Sequence, residues 1–180
     1  MRHCIVLTGA PASGKSTALE RLKTEPALSG FAFLEELARQ LLTQKPDYRN
    51  DWAAFHHEIY RRQIQRENEL GGRSFITDRG TADAFAFHPE TMQEYGTTID
   101  AEYARYTAVI QLGSTAGLDD DSFTPDEIRN ESVRDVLKLE AATRRVWENH
   151  SAYHFIPAAT SFEHKLQSLV TLVLSLVTSK

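Results

Sequence analysis

The sequence has one cysteine, Cys4, so no internal disulfide can form and a reducing compartment fits. It also lacks any excess of basic charge: 20 Lys and Arg face 25 Asp and Glu, a net charge of −5. That balance counts against a dedicated nucleic-acid binder and leaves open only a local basic groove. Long hydrophobic runs are missing too. The most apolar stretch, residues 169–177, is interrupted by Thr171 and Ser175 and falls far short of a bilayer span. The first apolar run is too short for a secretory signal. The expectation is a cytoplasmic protein with no membrane partner. No repeat, low-complexity tract or linker divides the chain, so a single domain over residues 1–180 is expected. Apolar content of 41% with 25% charged residues suits a chain that buries a core.

What is present is concentrated near the start. Gly9-Ala10-Pro11-Ala12-Ser13-Gly14-Lys15-Ser16-Thr17 carries the spacing G-x-x-x-x-G-K-[ST] from Gly9 to Ser16, the phosphate-binding loop pattern. Gly9 and Gly14 let the backbone turn tightly and come close to phosphate oxygens. The loop N–H groups then form an anion cradle. Lys15 is placed to reach the β- and γ-phosphates of ATP, and the Ser16 hydroxyl to reach Mg²⁺. A helix opening at Lys15 adds its positive dipole end. An ordinary glycine-rich turn can carry the same letters, so the flanks decide. Residues 4–7 form a continuous apolar run, as in a buried parallel strand, and residues 18–23 continue as a helix.

Strand and helix signals then alternate. Residues 31–34 read as a second strand, ending in Glu35-Glu36 and a helix over 37–42. Carboxylates at a strand's carboxyl end sit where ligands bind in open α/β sheets; the competing reading is a helix-start acid pair bridging Arg39. Residues 45–50 read as a loop and 52–70 as a helix, capped by Asp51, with Trp52, Phe55, Ile59 and Ile64 as its apolar stripe. His56 and His57 are adjacent and point apart, which favours surface or half-buried histidines over a metal pair. A third strand over 73–77 delivers Asp78-Arg79-Gly80, an acid able to hold Mg²⁺ beside an arginine able to bind substrate. A short helix over 81–87 turns Asp83 back toward that strand end. Another covers 98–105.

A fourth strand over 107–112 leads to a polar loop and a capping box from Thr124 to Glu127. The long helix expected next runs to about residue 149 and carries Arg129, Arg134, Arg144 and Arg145. Residues of about 113–135 are where a lid would close, with Arg129 and Arg134 as candidate phosphate contacts; a solvated helix face is the alternative. The run Asp119-Asp120-Asp121 would repel a phosphate unless it points outward. A fifth strand over 153–156, a loop over 157–160 as floor for a nucleotide base, and a helix striped by Phe162, Leu166, Leu169, Val170, Val173 and Val177 complete the chain. The alternation predicts an α/β domain with a parallel sheet covered on both faces.

Gly9 to Thr17, Glu36-Leu37-Ala38-Arg39 and Asp78-Arg79-Gly80 with Asp83 together resemble a small P-loop kinase. The set is similar to the AAA-type P-loop family that includes ribosylnicotinamide kinase domains. The resemblance implies a three-layer P-loop NTPase fold with a five-stranded parallel sheet of order 2-3-1-4-5. It implies that Glu36 contacts or deprotonates an acceptor hydroxyl, that Asp78 serves Mg²⁺ with Ser16, and that Arg79, with Arg39 and Asp83, binds substrate. Gly80 and the acidic lid depart from the related deoxynucleoside and thymidylate kinases. The expected function is ATP- and Mg²⁺-dependent phosphoryl transfer to a hydroxyl of a small metabolite or nucleoside. Lys15, Asp78, Glu36, Arg129 and Arg134 are the candidate catalytic residues. The alternatives are an NTP hydrolase, a nucleotide-binding regulatory module and a polynucleotide-end kinase, the last kept open by Arg61, Arg62 and Arg66.

Overall fold

In a computed structural model, residues 1–115, 133–159 and 161–178 are described. Five strands, β1 (Cys4–Thr8), β2 (Ala32–Leu34), β3 (Phe75–Asp78), β4 (Ala108–Leu112) and β5 (Tyr153–Ile156), form one sheet of order β2-β3-β1-β4-β5. All four pairings are parallel. The helices are α1 (Lys15–Lys23), α2 (Leu37–Gln44), α3 (Trp52–Glu69), α4 (Asp83–Phe87), α5 (Glu90–Tyr95), α6 (Ile99–Tyr103), α7 (Val133–Trp147) and α8 (Phe162–Thr178). This is the α/β P-loop NTPase architecture, with the strand order expected from the resemblance.

The two-residue period of a strand explains the layering. In β1, Ile5 and Leu7 point to one face, where Leu19 and Leu22 of α1 and Leu169 and Val173 of α8 cover them. Cys4 and Val6 point to the other, against Tyr60 of α3, Phe85 of α4 and Trp147 of α7. Every residue of β1 and of β4 is buried, as a central strand covered on both faces requires. Cys4 is a buried free thiol, pushed above its ordinary pKa first by that burial.

The structure corrects the chain reading in several places. Residues 45–50 are not an irregular loop: Pro46–Asn50 is a 3₁₀ helix. The short helix α5 occupies a stretch to which the sequence reading assigns no element. The stripe given to α3 fails at Trp52, which is 52% exposed; Phe55 is buried and Ile59 and Ile64 pack partly buried against the core, but the fully buried face also takes His56, Tyr60, Gln63 and Glu67. Asp51 does cap that helix, accepting from Ala54 N at 2.9 Å. Among the described residues, no helix is long and apolar enough to cross a membrane.

Candidate functional site

The loop between β1 and α1 is held in conformations that side chains rarely adopt. Gly9 has φ 140°, Gly14 φ 86° and Ala12 φ 57°. The glycine spacing has a steric reason inside the protein as well as toward a ligand. A Cβ on Gly9 would lie 2.4 Å from the Leu112 carbonyl oxygen, and one on Gly14 would lie 2.5 Å from the Phe162 ring. Lys15 is buried, and its Nζ donates to Gly9 O at 3.1 Å, Ala10 O at 2.9 Å and Ser13 Oγ at 3.2 Å. Ser16 follows on the first turn of α1 and donates to Asp78 Oδ2 at 3.3 Å.

That last contact joins two sequence motifs 62 residues apart. β3 lies beside β1, with Leu7 in register with Asp78, so the strand tip falls beside the phosphate loop. A hydroxyl and a carboxylate at this separation form the oxygen donor set that Mg²⁺ takes from proteins that leave its other positions to water and phosphate. The residues present therefore fit that ion. Among the described residues, no group of three or more His, Cys, Asp or Glu is arranged to hold a metal ion.

Arg79 follows Asp78 with φ 73°, a left-handed conformation unusual for arginine. Its Nη1 donates to Gly9 O at 3.1 Å and lies 3.7 Å from Asp83 Oδ1, while Nε is 3.9 Å from Glu36 Oε1. The guanidinium also lies over Phe87, 4.6 Å from the ring centroid. Asp83 accepts from Thr8 Oγ1 and from Gly80 N, the latter at 2.8 Å. Gly80 has no room for a side chain, since a Cβ would lie 2.9 Å from Val6 and 3.0 Å from Trp147. The tryptophan that α7 lays against the turn is one of the two side chains that leave glycine alone fitting there.

A cavity of 570 Å³ opens beside this constellation. Glu36, Asp78, Arg79 and Asp83 line its polar part and Pro11 ties it to the phosphate loop. Leu37, Phe55, Ile59 and Phe87 supply apolar wall. His56 also lines it; burial first, then the His88 and Arg79 charges, push its pKa down to about 4. A family model described as AAA domain matches residues 4–165. The chain belongs to the AAA domain family. That family places it among nucleotide-binding P-loop NTPase-like proteins, and the loop geometry agrees. Comparison with curated proteins returns no match.

Within this AAA domain, Lys15, Ser16, Glu36, Asp78, Arg79 and Asp83 come together. Arg39 does not: it is exposed on α2 and lies outside the cavity lining. Arg134 is exposed on the first turn of α7. Arg129, the Thr124–Glu127 box and most of the expected lid lie outside the described residues.

Sequence reasoning overlooked Lys165. Its buried Nζ donates to Ser13 O at 2.8 Å and to Gly113 O, fastening the phosphate loop to the end of β4. The available signal was a lysine spaced four residues before Leu169, on the apolar stripe of α8.

Proposed function

We propose that the protein is an ATP- and Mg²⁺-dependent phosphotransferase that moves the γ-phosphoryl group of ATP to a hydroxyl of a small metabolite. The observation that carries this reading is the 570 Å³ cavity that shares its wall with Pro11 of the phosphate loop and with Asp78. Water as the acceptor needs no such chamber, whereas this volume is that of a small-molecule site. Among the described residues, the wall carries the carboxylates Glu36, Asp78, Asp83 and Asp135 against the guanidiniums of Arg49 and Arg79. Arg79 already faces two of those carboxylates. This balance disfavours an acceptor that bears a phosphate and favours a neutral or cationic alcohol with a partly apolar body, a nucleoside among them.

In this reading Lys15 exchanges its neutral acceptors, Gly9 O, Ala10 O and Ser13 Oγ, for phosphate oxygens, which form stronger charge-assisted bonds. Glu36, buried at the cavity wall, orients the acceptor hydroxyl and takes its proton as the new O–P bond forms and the bond to the ADP oxygen breaks. Ser16 and Asp78 hold Mg²⁺, which when bound neutralises charge on the phosphate oxygens. Positioning and charge matter more than a strong base, because the transition state is loose.

The test is γ-labelled ATP offered with nucleosides, nucleoside monophosphates, oligonucleotides and other small alcohols. Label should move to an unphosphorylated alcohol and not to an oligonucleotide end. Lys15→Ala should abolish that transfer. Phosphate released to water with every acceptor would instead make the protein a hydrolase, and no turnover at all would make it a nucleotide-binding module.

A further inference from the structure

The turn at Arg79–Thr81 is held by side chains that the phosphoryl-transfer reading does not use. Arg79 O accepts from Thr77 Oγ1 at 2.9 Å and from Gln63 Nε2 at 3.3 Å. Thr81 N donates to the Tyr106 hydroxyl at 2.7 Å. Gln63 comes from α3, and Tyr106 from the segment before β4. The two clamps meet on one group: Glu67 Oε1 accepts from Gln63 Nε2 at 2.8 Å and from Tyr106 OH at 2.7 Å. Glu67 Oε2 accepts from Arg105 Nε at 3.0 Å and Nη2 at 2.7 Å, so the buried carboxylate has a countercharge. Arg66 donates to Gln63 Oε1 at 3.1 Å, which turns the amide's NH₂ end toward Glu67 and the turn. Burial, then the charge of Glu67, push the Tyr106 hydroxyl well above its ordinary pKa, so it remains a donor.

Such a network is costly to bury for packing alone. Glu67 is 2% exposed and Gln63 4%, and apolar residues of similar volume commonly stabilise a core as well or better. It does fix a backbone conformation that arginine resists. From that conformation the guanidinium spans the Gly9 carbonyl, Glu36 and Asp83. We propose that Glu67 is a positioning residue: through Gln63 and Tyr106 it locks the left-handed turn that aims Arg79 between the phosphate loop and the acceptor cavity. The consequence for acceptor binding rests on the phosphotransferase reading; the consequence for the pose of Arg79 does not.

The test uses Tyr106→Phe, with Glu67→Gln as the second variant, because neither residue lines the cavity. KM for the acceptor should rise about tenfold, the effect of one misplaced charged hydrogen bond. KM for ATP should stay within about twofold of the parent by the same reasoning. In an Arg79→Ala background, Tyr106→Phe should raise acceptor KM no further, since residues acting as one unit are not additive. The Arg79 Nε–H signal in an NMR spectrum, assigned through Arg79→Lys, should shift in both variants while the fold is retained. Additive effects in the double variant would overturn the proposal, as would an unmoved Arg79 signal in a folded variant. Should no acceptor ever be phosphorylated, the phosphotransferase reading falls and the NMR signal still decides the role of Glu67.

Discussion

His56 illustrates how one side chain couples the cavity to stability. Its ring lies parallel to that of His88, with 5.6 Å between centroids, and edge-on to Trp52 at 4.4 Å. Its Nε2 has no hydrogen-bond partner among the described residues. A proton there would be desolvated and repelled, which is why the pKa falls from 6.5 to about 4. Between those values the unfolded chain binds the proton and the folded chain does not. Stability is therefore complete above pH 6.5 and is lost as pH falls toward 4; below that both forms are protonated and the slope ends. The loss amounts to about 3 kcal/mol at most. Urea midpoints measured from pH 7 to 4 should fall in the parent and flatten in His56→Phe. Glu58, which Arg61 and then Arg62 hold down to about 2, adds its own loss only below 4.5. The two contributions thus separate on the pH axis. Gly9 is the complementary residue-scale case. Its φ of 140° and the Leu112 carbonyl in the space of a Cβ make Gly9→Ala destabilising by more than the ~1 kcal/mol of an ordinary Gly-to-Ala mismatch, measurable as a lowered Tm.

At the scale of elements, α8 acts as a strap on the phosphate loop. Phe162 at its first turn fills the space beside Gly14, and Lys165 one turn on donates to Ser13 O and Gly113 O. Burial pulls the Lys165 ammonium down to about 8, so its charge is retained at neutral pH. Lys165→Met should leave two buried carbonyls unsatisfied and cost about 1–3 kcal/mol. It should also weaken ATP binding, read by calorimetry, while Lys138→Met on the exposed face of α7 should change neither. This element also shows which parts of the fold were legible. A helix with apolar residues at positions 166, 169, 170 and 173 announces its buried face, while Phe162 of the expected stripe is 39% exposed, and Lys165 on the buried face hides as an apparent exception. The same masking occurred on α3, where Gln63 and Glu67 lie on the buried side because they hold a turn rather than fill a core. A pattern that scores only hydrophobicity assigns them to solvent. The contiguous motifs at Gly9–Ser16 and Asp78–Asp83 were readable because their chemistry is local in the chain. Arg79's backbone strain was not, since arginine gives no sign of a positive φ. Short elements such as Pro46–Asn50 and α5 carry too few residues for a period to emerge.

At the scale of the whole molecule, the sheet order decides where chemistry can occur. β1 lies between β3 and β4, so the chain crosses over it on the way from β3 to β4 and a crevice opens at the carboxyl ends. The phosphate loop leaves β1 there, and Asp78 ends β3 there. The two motifs are therefore brought to one edge of the sheet by the fold and not by sequence proximity. A ligand that bridges them must stabilise the assembly as a unit. At about 100 times its Kd, a nucleotide binding only the folded state adds about 2.7 kcal/mol, roughly 5–10 °C in Tm for a chain of 180 residues. In the proposed site, part of that gain depends on Mg²⁺ because Ser16 and Asp78 meet at 3.3 Å. ATP should thus raise Tm more with Mg²⁺ than with a chelator in the parent. Asp78→Asn should keep the chelator-resistant part, which the loop and Lys15 supply, and lose the increment due to the metal. An Asp78→Asn variant whose Tm still responds to Mg²⁺ as the parent does would separate the strand tip from metal binding, even though both sit at the same edge of the sheet.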